Sequence, residues 1–140
     1  MHFNFLHHLH WPAVIVAGLA YFLLGAIWYS KALFSKKWIA YTKIDMNTPD
    51  VSKGIAGIFI SSFILMIITS IGLAILVYKM QTVGWKNGLH LGLVTGVCIG
   101  ITSISISYLY EKRPMGLHLI NGGYTLVGHI IAAIILSVWH

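Results

Sequence analysis

The sequence is poor in charge: 9% of its 140 residues are Asp, Glu, Lys or Arg, against roughly 25% in an ordinary soluble domain. That shortage excludes a soluble globule. Acid is the scarcer sign, with three residues in all, Asp45, Asp50 and Glu111. Nothing in the sequence brings two of them together, so paired-carboxylate chemistry has no site. Cys98 is the single cysteine, which excludes an internal disulfide and a zinc site of CxxC type; its apolar surroundings read as those of a small packing residue. The stretch Met1 to Leu6 contains no Lys or Arg and so lacks the positive region of a signal peptide. The first apolar stretch is expected to stay in the mature protein. GxSxG, Walker and HExxH motifs are missing as well. Nine basic residues give a net charge of +6, but they are scattered and form no continuous stripe for a phosphate backbone. Nucleic acid is therefore not an expected partner.

What is abundant is apolar surface: 58% of the residues are hydrophobic and the mean hydropathy is +0.84. Four stretches of about twenty residues are almost free of charge, the length that crosses a hydrocarbon layer of ~30 Å. They run from about Pro12 to Ser30, Ile55 to Tyr78, Gly88 to Tyr110 and Gly116 to Trp139. The reading is an all-α membrane protein, residues 1–140 forming one integral membrane domain of four transmembrane helices in an antiparallel bundle. Pro12 suits a first helical turn, where its missing N–H would be unpaired anyway. Thr48-Pro49-Asp50 reads as an N-cap, a proline at N1 and an acid facing the positive helix end, so the second helix is expected to start in water. Only the polar Glu111-Lys112-Arg113-Pro114 turn separates the last two spans, which must form a helical hairpin.

Orientation follows from Lys and Arg in the short loops, because cytoplasmic loops carry the excess. The 31–53 connection (Lys31, Lys36, Lys37, Lys43, Lys53) and the last turn (Lys112, Arg113) hold seven, whereas the other side holds two, Lys79 and Lys86. Both loops are expected in the cytoplasm of a protein of the cell (inner) membrane, with both termini outside. Trp11, Trp85 and Trp139 then mark the outer interface, and Trp28, Trp38, Tyr108 and Tyr110 the inner one. Within the first loop, Phe34, Trp38 and Tyr41 fall on one helical face, away from Lys36 and Lys43. That pattern predicts a short interfacial helix lying in the headgroup plane.

The run from Trp28-Tyr29-Ser30 through Leu33-Phe34 and Lys36 to Trp38 resembles the WYS-x-x-LF-x-K-x-W signature of an uncharacterised bacterial membrane family, domain of unknown function 1761, although Lys31 and Ser35 stand where Pro and Gly are usual. Tyr110-Glu111-Lys112-Arg113 with Leu119-Ile120-Asn121-Gly122-Gly123-Tyr124 resembles its second signature. The resemblance covers nearly the whole chain. It implies four spans and brings no assigned reaction.

Gly84, Gly88, Gly92, Gly96 and Gly100 recur every fourth residue, a ridge without side chains along which another backbone can approach closely. It serves either packing within the chain or self-association. Gly128 with Ala132, and Gly57 with Ser61, are weaker small-residue pairs. Along the fourth span His118, Asn121, Thr125 and His129 form one narrow stripe that should face inward, since polar groups cost free energy in lipid. His90 and His129 invite a haem-ligand reading, but at about 1.5 Å per residue they differ in depth by about 12 Å. His118, His129 and Glu111 allow a proton relay, and hydrogen-bonded neutral histidines are the plainer reading. The tract His2, His7, His8 and His10 lacks the acids or cysteine that would define a metal geometry; it reads as an interfacial segment with Phe3, Phe5 and Leu6 dipping into the headgroups.

The expected role is a non-enzymatic structural or interaction component, without cofactor or metal, whose partners are the lipid bilayer and either copies of itself or a larger membrane complex. The alternatives are a small transporter or channel with a polar path along the fourth span, and a redox or haem-binding subunit. Both family-like signatures fall on the cytoplasmic face, where Trp28, Tyr29, Lys36, Trp38, Glu111, Arg113, Asn121 and Tyr124 are expected to converge on one pocket or interaction site.

Overall fold

The computed structural model describes residues 3–44 and 54–139, and every regular element among them is helical. Four helices are long and apolar enough to cross a membrane: α1 (Trp11–Trp28), α3 (Ile55–Met80), α4 (Trp85–Tyr110) and α5 (Met115–Val138). The short α2 (Ser35–Thr42) lies between the first two, and a 3-10 turn over Phe3–His8 precedes α1. Helix ends differ from the expected spans by up to three residues: α1 stops at Trp28 and α4 starts at Trp85. The N-cap expected at Thr48-Pro49-Asp50, and the residues Asp45, Lys53 and His2, lie outside the described residues. The α3 helix itself starts after Gly54, whose φ is +81°.

Pro12 does open α1, and His10 caps it: its ring Nδ1 accepts the Ala13 N–H at 3.2 Å. Ahead of the cap the chain folds back on the bundle. Leu9 is buried, Leu6 packs on the core, and the Trp11 indole donates to the Leu6 carbonyl. Buried Ala13, Val14, Ala17, Gly18 and Tyr21 form one face of α1, the spacing a helix needs to meet two neighbours. At Gly18 a Cβ would lie 3.3 Å from the Ile67 Cα, so α1 and α3 approach to backbone contact.

The α5 helix is the hub, packing on α1, α3, α4 and α2, whereas α4 packs chiefly on α5. Their register is set by glycine. A Cβ added at Gly88 would stand 2.9 Å from the Ile134 Cα, at Gly92 2.5 Å from the Ile130 Cα, and at Gly96 3.1 Å from the Leu126 Cα. Residue numbers thus rise along one helix as they fall along the other. A stripe of every fourth residue drifts about 40° per step around an ideal helix, since four residues turn about 400°. The drift is met by a π-helical segment, Gly96–Ile101, which winds less per residue and lets Gly100 face Thr125 and His129. Gly84 departs from the expected ridge of five: it precedes α4 with φ +89° and open space where a Cβ would be, a conformation glycine adopts without penalty. Its N–H donates to the Ser137 carbonyl at 3.1 Å.

The aliphatic core gathers at one end, where α1 and α4 begin and α3 and α5 end: Ala13, Val14, Ala17, Leu73, Ala74, Val77, Leu91, Ala132, Ala133 and Leu136. Small side chains there let the helices close up. The opposite end holds rings instead, and that end carries the candidate site. Two expectations fail on the outer face of α4. Cys98 is exposed rather than packed, and His90 is exposed too, because it stands about 200° around the helix from Gly88 and Gly92.

Candidate functional site

The chain reverses immediately after α1. Phe34 N–H donates to the Trp28 carbonyl at 3.2 Å, Ser35 N–H to the Ser30 carbonyl at 3.2 Å, and the Ser30 hydroxyl to the Ile27 carbonyl at 2.7 Å. This compact turn sends α2 back against the start of α5. Room for the rings comes from glycines on the facing helices: Tyr124 lies over Gly25, Trp28 over Gly123, and Tyr41 over Gly116. Phe34 at the N-cap of α2, and Trp38 and Tyr41 on it, are half-buried while Lys36 and Lys37 are exposed, the segregation of an amphipathic helix.

Asn121, one turn and a half into α5, ties three elements together. Its Oδ1 accepts from the Tyr29 hydroxyl at 2.6 Å, and its Nδ2 donates to the Tyr108 hydroxyl at 2.6 Å. Beside it the Trp28 indole N–H donates to the Ile120 carbonyl at 2.9 Å, and the Tyr124 hydroxyl donates to the Tyr21 carbonyl at 3.0 Å. Aromatic edges complete the cluster: ring centroids lie 5.4 Å apart for Tyr29 and Tyr124, 6.0 Å for Tyr29 and Trp38, and 5.0 Å for Trp28 and Phe34. A cavity of about 260 Å³ opens against this network, bordered by Trp38, Thr42, Tyr108, Arg113, Leu117 and Asn121.

Of the eight residues expected to converge, Trp28, Tyr29, Trp38, Asn121 and Tyr124 do so, and Arg113 borders the cavity. Glu111 does not join them; it is exposed and pairs with Arg113 at 3.3 Å. Lys36 is exposed on the far side of α2 and makes no ion pair among the described residues. Tyr108 and the buried His118, whose rings meet edge to face at 5.3 Å, belong to the network as well. Their signal was in the sequence: across a tight helical hairpin, residues at equal distance from the turn are neighbours, and Tyr108 and His118 stand almost equally far from Lys112-Arg113.

Further along α5 the polar stripe faces inward. His129 directs Nδ1 at the Thr125 carbonyl at 2.8 Å, and its ring meets the edge of Tyr21 at 5.8 Å. His90 points away from the bundle on α4, so the two rings that a haem iron would need do not face each other. Among the described residues no three His, Cys, Asp or Glu side chains come together as metal ligands.

A family model described as "Protein of unknown function (DUF1761)" matches residues 12–137. No curated protein and no solved structure matches the chain.

Proposed function

The chain belongs to the DUF1761 family of proteins of unknown function, and we propose that it is a non-enzymatic interaction component of the membrane, an antiparallel four-helix bundle that self-associates or joins a larger complex. The observation that carries this reading is the use made of the signature side chains. Tyr29 bonds Asn121, Asn121 in turn bonds Tyr108 just ahead of the second signature, and Trp28 bonds the α5 backbone. Groups engaged in this way lock α1, α4 and α5 together, whereas a catalytic centre holds polar groups ready for substrate.

The seven-to-two loop charge asymmetry supports a cytoplasmic position for this network, with both termini outside the cell (inner) membrane. The half-buried rings and exposed lysines of α2 support its lying in the headgroup plane. For association, Gly88, Gly92 and Gly96 are covered by α5, which leaves the outward faces of α3 and α4. On α3, Gly57 and Ser61 are both exposed, and a Cβ at Gly57 would meet nothing within 4 Å, a geometry that admits a second helix closely.

The cavity of about 260 Å³ favours a second reading, in which Arg113 and Asn121 orient a ligand or a partner segment. One experiment separates the two. The intact protein is extracted in mild detergent, and its complex mass and melting temperature are followed in Asn121→Leu. A mass above one chain, with complex and melting temperature falling in step, supports the lock. Loss of a bound partner at unchanged melting temperature supports the cavity, and a single-chain mass for the parent protein overturns the association.

A further inference from the structure

The opposite end of the bundle holds the larger cavity, about 570 Å³, between the segment before α1 and the ends of α3 and α5. We propose that it binds an anionic amphiphile, a carboxylate or phosphate head on an acyl chain, independently of the Asn121 network. The volume lies within the usual range for small-molecule sites, roughly 300–1,000 Å³.

The walls change character with depth. Leu9, Ala74, Val77 and Leu136 line the cavity and also belong to the aliphatic core, so its floor is continuous with the apolar interior. The rim carries Lys79, His8 and His10 together with Trp139. No acidic side chain borders it among the described residues. The C-terminal ends of α3 and α5 border the cavity and only α1 begins beside it, so the helix ends contribute some negative charge there. Against them stands Lys79, the one formally charged side chain among the described residues that line it, and its charge is positive.

The rim also favours an acceptor over a metal ion. His10 spends Nδ1 on the Ala13 N–H, and a neutral ring whose Nδ1 accepts carries its proton on Nε2. That ring offers a donor to the cavity and no free lone pair. The Lys79 ammonium lies 4.8 Å from the Phe5 ring centroid and makes no ion pair among the described residues. His8 is stacked on Tyr78, which holds it at the rim. Trp11, Trp85 and Trp139, all at this end, are the residue type that settles at headgroup level. A head at the rim and a chain against the floor match the two halves of a single amphiphile.

The test uses the full chain in phosphatidylcholine nanodiscs, titrated with bromine-labelled acyl probes that quench tryptophan: an 18-carbon fatty acid, its methyl ester, and a single-chain phosphate-headed lipid. Saturable quenching is expected with at least one anionic probe, and which one saturates tells a free carboxylate from a lipid headgroup. Lys79→Gln should weaken it about tenfold, the scale of one charge-assisted hydrogen bond. Lys86→Gln, which removes an exposed charge at the same end that does not border the cavity, should leave it unchanged. Equal binding of the ester, an equal loss in both lysine variants, no loss in Lys79→Gln, or no saturation with either anion would each overturn the proposal.

Discussion

Replacing Gly92 by alanine adds one methyl group at the closest backbone approach between α4 and α5. Its Cβ would stand 2.5 Å from the Ile130 Cα and 2.9 Å from both the His129 carbonyl oxygen and the Ile130 nitrogen. These neighbours are main chain and cannot rotate aside. Carbon atoms rest at about 3.5 Å or more, so the helices must separate by about 1 Å, and a gap of that size forfeits a quarter to a half of each dispersion contact along the seam. Overpacking of this kind costs about 1–3 kcal/mol, or roughly 3–10 °C of melting temperature for a chain of this length. Gly96→Ala should cost less, because its nearest neighbour, at 2.9 Å, is the Leu126 Cδ1 methyl, which can swing away. Gly72→Ala is the control. Nothing lies within 4 Å of its Cβ, so only the gain in helix propensity of up to about 1 kcal/mol acts there. Thermal denaturation of the three variants in one detergent reads the ranking. Equal shifts at positions 92 and 72 would refute the packing argument.

Asn121→Leu removes two hydrogen bonds and leaves the Tyr29 and Tyr108 hydroxyls without their partner, so melting should fall by the equivalent of about 1–3 kcal/mol. Glu111→Gln, at an exposed pair, should move it by less than about 1 kcal/mol; a larger effect of Glu111 than of Asn121 would reverse the assignment. After Cys98→Ala, single cysteines at positions 35 and 81 should divide in impermeant thiol labelling of intact cells, with reaction at 81 and none at 35, and the opposite pattern would invert the topology. Lys112 has φ +56° where α4 ends, a left-handed position that disfavours side chains, so Lys112→Gly should be neutral or stabilising within about 1 kcal/mol. A clear destabilisation would show that its side chain matters there.

Much of the fold was legible because lipid imposes a blunt rule on composition: charge-free runs of spanning length have few other readings. The glycine spacing gave the face of α4 but left its partner open, since packing within the chain and between chains asks for the same residues. Only the approach of Ile130 and Ile134 to Gly92 and Gly88 assigns it to α5. The π segment was hidden for a different reason. It resolves a mismatch between a stripe of period four and a helix of period about 3.6, and the sequence records the stripe without recording how the backbone accommodates it. At the candidate site, the second signature supplied Asn121 and Tyr124, while Tyr108 was read as an interfacial aromatic. A belt tyrosine and a hydrogen-bonded one have the same sequence signature; the register of the hairpin decides between them. Glu111 and Lys36 entered as members of the two signatures, and charge at a lipid boundary is drawn to water.

The distribution of polar groups along the spans follows how many neighbours each helix has. The hub helix α5 touches every other helix that crosses, and it alone carries a stripe of His118, Asn121, Thr125 and His129. Asn121 finds its partners on other elements, Tyr29 and Tyr108, and His129 lays its ring against Tyr21 of α1. The α4 helix has one principal neighbour, and its outward Thr102 and Ser103 are satisfied differently: their hydroxyls donate to the Cys98 and Ile99 carbonyls of their own helix, at 2.8 and 2.6 Å. A hydroxyl can do this because it reaches back four residues. An imidazole can turn back on its own helix too, as His129 does toward the Thr125 carbonyl, but that bond uses one ring nitrogen and leaves the second to find a partner, which accounts for where the outward histidine lies. His90 is only five residues from Trp85, about 8 Å along the helix, near enough to the boundary for a polar ring to meet headgroups or water. Set at the middle of that face it would need another chain beside it. The midsection of α4 therefore keeps to glycine, aliphatic residues, one thiol and self-bonded hydroxyls, while histidines at depth are confined to the helix whose surroundings are protein.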